Sequence, residues 1–324
     1  MCTRNVVQVS PSDKNALESP FHDDAPSSSL EKPRLSSSTT DAKMGPYGAY
    51  HDPLLPSSSL LKRIVGDGIS MSGGPAAVLL QIAHPKVGAG VAENSSFTTR
   101  PIARGRRSII YIFCQVFGTE EERRYITDMT HRSHAKIVKA ATADDPGYNA
   151  NDPELQLWVA ATTYWSLFES YQVCYGKFDD ATAERLHKEF SVMATALHVS
   201  PDMWPKDRQA FQVYWDKEIG KLSVNDAVRA VAHDVLFPSK LPFWYTVYFN
   251  LVGPLSRIVT REMLPPTVAK QFNWESTAWS RTVYNIMTVL TRVGYRYQPY
   301  FTKTLVKDMY MKDMRKRIKE GRRW

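Results

Sequence analysis

The stretch "DPELQLWVAATTYWSLFESYQVCYG", residues 152–176, carries the signature of one long helix. Asp152 is a favoured N-cap, because its carboxylate accepts from backbone N–H groups that have no partner in the first turn. Pro153 follows at the first helical position, where its missing N–H is harmless. Gly176 stands where a terminator is expected, and no Pro or Gly lies between. Trp158, Tyr164, Trp165 and Phe168 fall at helical spacing and read as core rather than as an aromatic box.

The same grammar repeats on either side. "SSLLKRIVGDG" (58–68) predicts a short helix after a serine cap, and "GGPAAVLLQIA" (73–83) a buried helix with Pro75 near its start. "HPKVGAGVAENS" (84–95) predicts a helix of small residues whose glycines admit close approach of another helix or a flat ligand. "RPIARGRRSIIYIFCQVFG" (100–118) ends on Gly118, and "TEEERRYITDMTHRSHAKIVKAAT" (119–142) opens with the capping box Thr119/Glu122. Further helices are expected at 179–197, 205–220, 223–236, 241–262, 274–297 and 300–320, with no hairpin signal and no repeat. The fold class is therefore all-α: a single multi-helix domain over 49–324, ending in a basic C-terminal helix (300–324). The Ser/Pro-rich segment 1–48 has too little apolar surface to offset its ordering entropy and is expected to be a disordered tail.

Composition narrows the function classes. The chain has 324 residues, 43% hydrophobic and 23% charged, with a formal net charge of +8. Cys2, Cys114 and Cys174 form neither a disulfide framework nor a CxxC zinc pattern, and the absence of CxxCH excludes covalent haem attachment. Cys114 and Cys174 sit in apolar segments and read as buried thiols. There is no basic-aromatic pattern of the kind that binds nucleic acid. The N-terminus has no apolar signal region. The longest apolar run, "PFWYTVYFNLVGPLSRIV" (242–259), is interrupted by Pro254 and Arg257 and is short for a membrane span. The expectation is an intracellular protein that rests on a membrane at most and does not cross one. Any peripheral attachment would use the basic "KDMRKRIKEGRRW" end (312–324), the 241–262 segment or a partner.

Three groups carry candidate chemistry. His131 and His134 lie three apart on one helical side. They read as interhelical polar residues, a metal pair or a cofactor ligand; "HRSH" lacks the carboxylates of an HExxH or ExxH site, which disfavours zinc and dinuclear centres. Arg104, Arg107 and Ser108 share a face at i, i+3 and i+4 that runs into the apolar "IIYIFCQVF". Those guanidinium groups read either as a solvated pair for Glu120 or Glu121, or as cations holding carboxylates, phosphate or porphyrin propionates. Glu93, beside Asn94, reads as a capping carboxylate or an acid–base group, and His84, before Pro85, as a helix-end residue.

The run "GGPAAVLLQIAHPKVGAGVAENSSF…RPIARGRRSIIYIFCQVFGTEEE…HRSHAKIV…YNANDPELQLWVAATTYWSLFE" resembles the catalytic domain of rubber oxygenases (latex-clearing proteins). That domain is shared with the fungal endoplasmic-reticulum-bound oxygenase of mycophenolic acid biosynthesis. The likeness continues through "ALHVSPDMWPKDRQAFQVYW" and "REMLPPTVAKQFNW", and so spans about residues 45 to 300. It implies a globin-like all-α core holding haem b non-covalently. The family's proximal histidine has an aliphatic residue three positions later, which His134 with Ile137 matches; His131 becomes its neighbour. The family's Arg-x-x-Lys-Thr element falls on Arg104, Arg107 and Ser108. Ser108 keeps the hydroxyl that hydrogen-bonds to haem or dioxygen, whereas Arg107 replaces a lysine. Glu93 is the nearest counterpart of the distal carboxylate base.

The implied activity is dioxygen-dependent cleavage of a C=C bond in an isoprenoid or prenylated substrate, an apolar small molecule bound between walls such as 157–175 and 241–262. Two other readings stand beside it: a haem-dependent oxidase or monooxygenase of a secondary metabolite on the same fold, and a non-catalytic haem-binding or membrane-associated helical protein.

The lysine of the family element can cap the iron in a closed state, but a guanidinium stays protonated and has no lone pair to offer. The haem-loaded protein should accordingly show no resting form with two nitrogen axial ligands. Absorption and electron paramagnetic resonance spectra check this, and a low-spin spectrum with two nitrogen ligands would contradict it.

Overall fold

Helix starts are set by short polar side chains where the sequence places them. The computed structural model describes residues 54–94, 101–143, 147–239 and 241–322, so the expected tail over 1–48 lies outside the described residues. Ser59 caps α1 (Leu60–Gly66), accepting from Lys62 N–H at 3.2 Å. A 3₁₀ segment (Gly68–Gly73) follows, capped by Asp67, and leads into α2 (Gly74–Ala83) with Pro75 in its first turn. α3 spans Pro85–Asn94 and α4 Pro101–Phe117. Thr119 and Glu122 form the expected capping box at the start of α5 (Glu120–His134). Asp152 accepts from Glu154 N–H at 2.9 Å to open α6 (Pro153–Tyr175), which ends at Gly176 with φ 96°. The remaining helices are α7 (Asp180–Ala194), α8 (Arg208–Lys221), α9 (Asp226–Leu236), α10 (Phe243–Met263), α11 (Pro266–Gln271), α12 (Ala278–Arg296) and α13 (Tyr300–Lys319).

The structure is all-α as read, with one departure. The helix expected to run through Thr142 stops at His134. Ile137 N–H donates to His134 O at 2.8 Å, and the chain turns into a two-residue strand, β1 (Val138–Lys139), paired antiparallel with β2 (Tyr148–Asn149). No Gly or Pro announces this stop. The ladder is fastened from outside: Lys139 Nζ donates to Glu93 Oε1 at 2.8 Å, and the Tyr148 ring lies against Gly90. Tertiary contacts thus override local helix propensity.

The glycines of α3 serve helix packing. A Cβ on Gly88 would stand 2.3 Å from Ile82 O and 2.7 Å from Val228 Cγ2, so any larger residue would force α2, α3 and α9 apart.

α6 is the centre of the core. Trp158 is fully buried, and its indole N–H, which cannot be left unpaired there, donates to Leu80 O at 3.2 Å. Phe168 is also buried, while Tyr164 and Trp165 are partly buried and pack against the core. The aromatic residues of 157–168 are therefore largely spent on packing. α2 and the 3₁₀ segment cover α6, with α7 and α12 against it as well. Asp67 ties these layers together: Tyr175 and Tyr295 donate to its carboxylate at 2.7 and 2.6 Å, fastening α6 and α12 to the 3₁₀ segment. Cys114 and Cys174 are buried free thiols, and burial pushes Cys114 up to about 12 and Cys174 to about 11.

His187 on α7 illustrates the electrostatic side of this core. It is 1% exposed, stacks on Trp204 at 5.1 Å, and its Nε2 pairs with Pro205 O at 2.6 Å. Its Nδ1 is buried with no hydrogen-bond partner, so there is no welcome for a second proton. Burial lowers its pKa from the ordinary 6.5, outweighing the carbonyl of Pro205, which pulls the other way. The unfolded chain takes up a proton near that ordinary value while the folded one resists, so stability is lost as pH falls below it. Urea midpoints should drop between about pH 7 and about pH 5, and His187→Gln should flatten part of that slope; an unchanged slope in the variant would show that His187 does not titrate as described.

Candidate functional site

α4 and α5 form an antiparallel pair joined through Gly118 and Thr119. Gln115 Nε2 donates to Thr127 Oγ1 at 3.1 Å inside the pair and fixes its register. This geometry sets the first turns of α4, with Arg104, Arg107 and Ser108, beside the last turn of α5, with His131 and His134. Residues separated by about thirty positions in sequence become neighbours, and the Arg104 guanidinium acts directly on the His134 ring.

His134 is held as a neutral imidazole. A helix C-terminus by itself favours the protonated ring. Burial works the other way and prevails, helped by Arg104, His131 and His198, so that the pKa falls to about 4. Above that pH the ring offers a lone pair. Its Nδ1 is buried and has no hydrogen-bond partner, an arrangement that native interiors rarely leave without a reason.

On the facing helix, burial and the like charge of Arg107 pull Arg104 down from 12.5 to about 10. It remains a cation at neutral pH, and a desolvated one, which favours a carboxylate or phosphate partner. Glu120, one suggested partner, instead pairs with Arg124 on its own helix at 3.2 Å, at the opposite end of the α4–α5 pair. Ser108 is exposed, and its hydroxyl donates only a long 3.5 Å bond back to Arg104 O.

Glu93 is exposed and held by two donors, Lys139 Nζ at 2.8 Å and Tyr148 OH at 3.1 Å. Asn94 Nδ2 donates to the same phenol oxygen at 2.7 Å. The structure thus uses Glu93 to anchor the β1–β2 ladder to the end of α3.

The sequence missed His198. It lies between α7 and α8, 67 positions from His131, and no spacing rule connects the two. In the fold His131 Nδ1 and His198 Nε2 share a short hydrogen bond, with ring centroids 4.5 Å apart. His198 is itself positioned by its backbone N–H, which donates to Gln156 Oε1 of α6 at 2.8 Å. Burial, reinforced by His131, lowers the His198 pKa. The two histidines of "HRSH" therefore have different duties: His131 is engaged with His198, while His134 has a nitrogen to spare. Among the described residues, no group of three or more His, Cys, Asp or Glu side chains is arranged to hold a metal ion.

This arrangement fits a haem better than a bare metal. A neutral imidazole with an unpartnered buried nitrogen would suit an iron ligand, and the desolvated Arg104 guanidinium on the adjacent helix would suit a porphyrin propionate.

Comparison with known proteins shows the family. The family described as "ER-bound oxygenase mpaB/B'/Rubber oxygenase, catalytic domain" matches residues 62–293. Two mycobacterial proteins, Mb2261 of Mycobacterium bovis and Rv2237 of Mycobacterium tuberculosis, are each 34% identical over 257 residues, which is 77% of this chain and 98% of the relative. Neither carries an assigned function in its name. No solved structure matches the chain.

The His131–His198 bond should be measurable as a coupling. His131→Ala, His198→Ala and the double variant, compared by urea unfolding near neutral pH, are expected to give an interaction of about 1 kcal/mol. Strictly additive losses would show that the rings do not bond in solution.

Proposed function

This chain belongs to the mpaB/rubber oxygenase catalytic-domain family, carries an oxygenase domain, and we propose that it is a haem b-dependent oxygenase that cleaves a C=C bond of an isoprenoid or prenylated substrate. The single observation that carries the haem assignment is His134: a ring kept neutral by burial, with an unpartnered buried nitrogen as in His187, but set beside the Arg104 guanidinium instead of within the aromatic core. His134 would hold the haem iron. Arg104 and Arg107 would hold the propionates, and Ser108 would supply a hydroxyl at the rim. Bound haem would supply the activation of dioxygen, the co-substrate.

The chain's own residues do the rest. Desolvation keeps His134 unprotonated across the physiological range, so no proton competes for its lone pair. Arg104 is charged but poorly hydrated, which strengthens its hold on an anion compared with a guanidinium in open water. The bond from His131 to His198 braces the last turn of α5 against the segment before α8, limiting how far His134 can swing. Glu93 would act as a base only after releasing Lys139 or Tyr148, so its part in proton transfer is the weakest of the proposed roles. An isoprenoid offers few polar handles, so its recognition rests on apolar burial.

The experiment is a pair of measurements. Purified protein, reconstituted with haem and reduced under carbon monoxide, should show a Soret band that His134→Ala loses and Arg104→Gln weakens, each variant binding haem at least about tenfold less well than the parent. Circular dichroism should show both variants still helical. Incubation of the parent with a prenylated aromatic under ¹⁸O₂ should give two labelled carbonyl fragments. An intact hydroxylated chain would replace cleavage by monooxygenation, and full haem content in His134→Ala would remove the assigned ligand.

A further inference from the structure

Large apolar side chains left in water are scattered thinly over most of the described surface, but they crowd together between Phe243 and Met309. On α12 the exposed set is Trp279, Ile286, Val289, Leu290, Val293 and Tyr297, whose spacing places them on one side of the helix. On the neighbouring α10 the exposed set is Phe243, Trp244, Tyr245, Val247, Leu251 and Leu255, all but Tyr245 on one side. Trp244 is 79% exposed, Leu251 76% and Tyr297 83%, so these are not core residues with a grazed edge. An uncovered apolar surface of this extent marks an interaction site.

The helices are firmly held from the other side. Tyr295 donates to Asp67, Arg292 Nε donates to Val173 O at 2.7 Å, and Ser280 is buried with its hydroxyl on Glu262 Oε1 at 2.5 Å. α12 therefore turns several polar groups inward and its apolar stripe outward, the reverse of an ordinary surface helix.

The charge pattern identifies the occupant. From Ala278 to Lys307 the chain carries Arg281, Arg292, Arg296, Lys303 and Lys307 and no carboxylate. From Leu236 to Thr260 it carries Lys240 and Arg257 and again no carboxylate. Arg281 is paired with Glu262 at 3.7 Å and Lys307 with Asp308 at 2.5 Å, whereas Arg292, Arg296 and Lys303 make no ion pair among the described residues. An apolar stripe containing Trp and Tyr and bordered by an excess of cations is the chemistry of a helix lying in the interface of an anionic bilayer. A second copy of the chain fits worse, because a two-fold interface would set this cationic surface against itself. Residues 1–53 are Ser-, Pro- and Asp-rich and lack an apolar run long enough to cover two helices. No helix among the described residues is long and apolar enough to cross a membrane.

We propose that α10 and α12 form a monotopic membrane-docking surface that seats this protein on an anionic lipid bilayer. The basic C-terminal helix is less suited to that task, since α13 packs on α4, buries Met311 and Met314, and commits Arg315 to Glu122 and Arg317 to Asp313. Docking is a property of the chain itself and requires neither haem nor substrate.

The test is flotation of the full chain, with and without added haem, on vesicles of phosphatidylcholine alone and of phosphatidylcholine with phosphatidylserine. The parent should float with the serine-containing vesicles, and Trp244→Glu/Leu251→Glu or Trp279→Glu/Val293→Glu should lower the bound fraction at least about tenfold. Arg292→Glu/Arg296→Glu should lose the preference for phosphatidylserine while keeping its circular dichroism spectrum. Protein that stays behind with both vesicle types overturns the proposal. So does a stable dimer by light scattering that the same apolar-to-Glu changes split into monomers. Because flotation is read without haem, its failure would leave the oxygenase reading untouched, and failure of the haem measurements would leave docking untouched.

Discussion

Keeping α6 out of water on nearly every side is the constraint around which the molecule is organised. A helix with apolar and aromatic residues all round its circumference has no solvent face, so other elements must wrap it. α2 and the 3₁₀ segment do this most closely, with α7 and α12 completing the cover. Trp158 shows how tight the solution is: no part of it is exposed, it packs on Trp215 with ring centroids 5.5 Å apart, and its one polar atom is satisfied by Leu80 O. Truncating a side chain of that size in a packed core costs about 3–5 kcal/mol, a large share of a typical domain's stability. Asp67 adds the polar counterpart, one carboxylate serving the 3₁₀ backbone, Tyr175 and Tyr295 together.

The open end of the α4–α5 pair has a different electrostatic character. Arg104 is a largely desolvated cation beside another cation, and His134 is a neutral imidazole whose buried Nδ1 has no hydrogen-bond partner. Each feature is unfavourable for folding alone. Together they are the features on which the haem proposal rests. The stretch just beyond His134 is equally purposeful: ending α5 there puts the residue on the last turn, and the Glu93–Lys139–Tyr148 contacts keep the chain from continuing as helix.

Solvent-facing design follows a third logic. α12 is fastened inward by Tyr295, Arg292 and Ser280 and displays its apolar stripe outward, so the hydrophobic periodicity that usually points to the core here points away from it. Of the cations bordering that stripe, Arg281 and Lys307 are paired with Glu262 and Asp308, while Arg292, Arg296 and Lys303 make no ion pair among the described residues. The same contrast separates α12 from α13, whose basic end is tied up in ion pairs with Glu122 and Asp313.

Local chemistry made much of this readable in advance. Caps such as Ser59, Thr119 and Asp152, the starting prolines and the stop at Gly176 act within a few residues, so the sequence by itself determined the helices, their order and the all-α class. It also put Arg104, Arg107 and Ser108 on one helical face and His131 beside His134, because those relations depend only on helical pitch. What it could not determine depends on atoms far apart along the chain. The early end of α5 needs Glu93 and Tyr148, the engagement of His131 needs His198, and the lowered pKa of His134 needs the helix opposite. Whether the stripe on α12 faced the core or the solvent was likewise decided by tertiary packing, since periodicity states that a helix has two faces but only its neighbours select which one is buried.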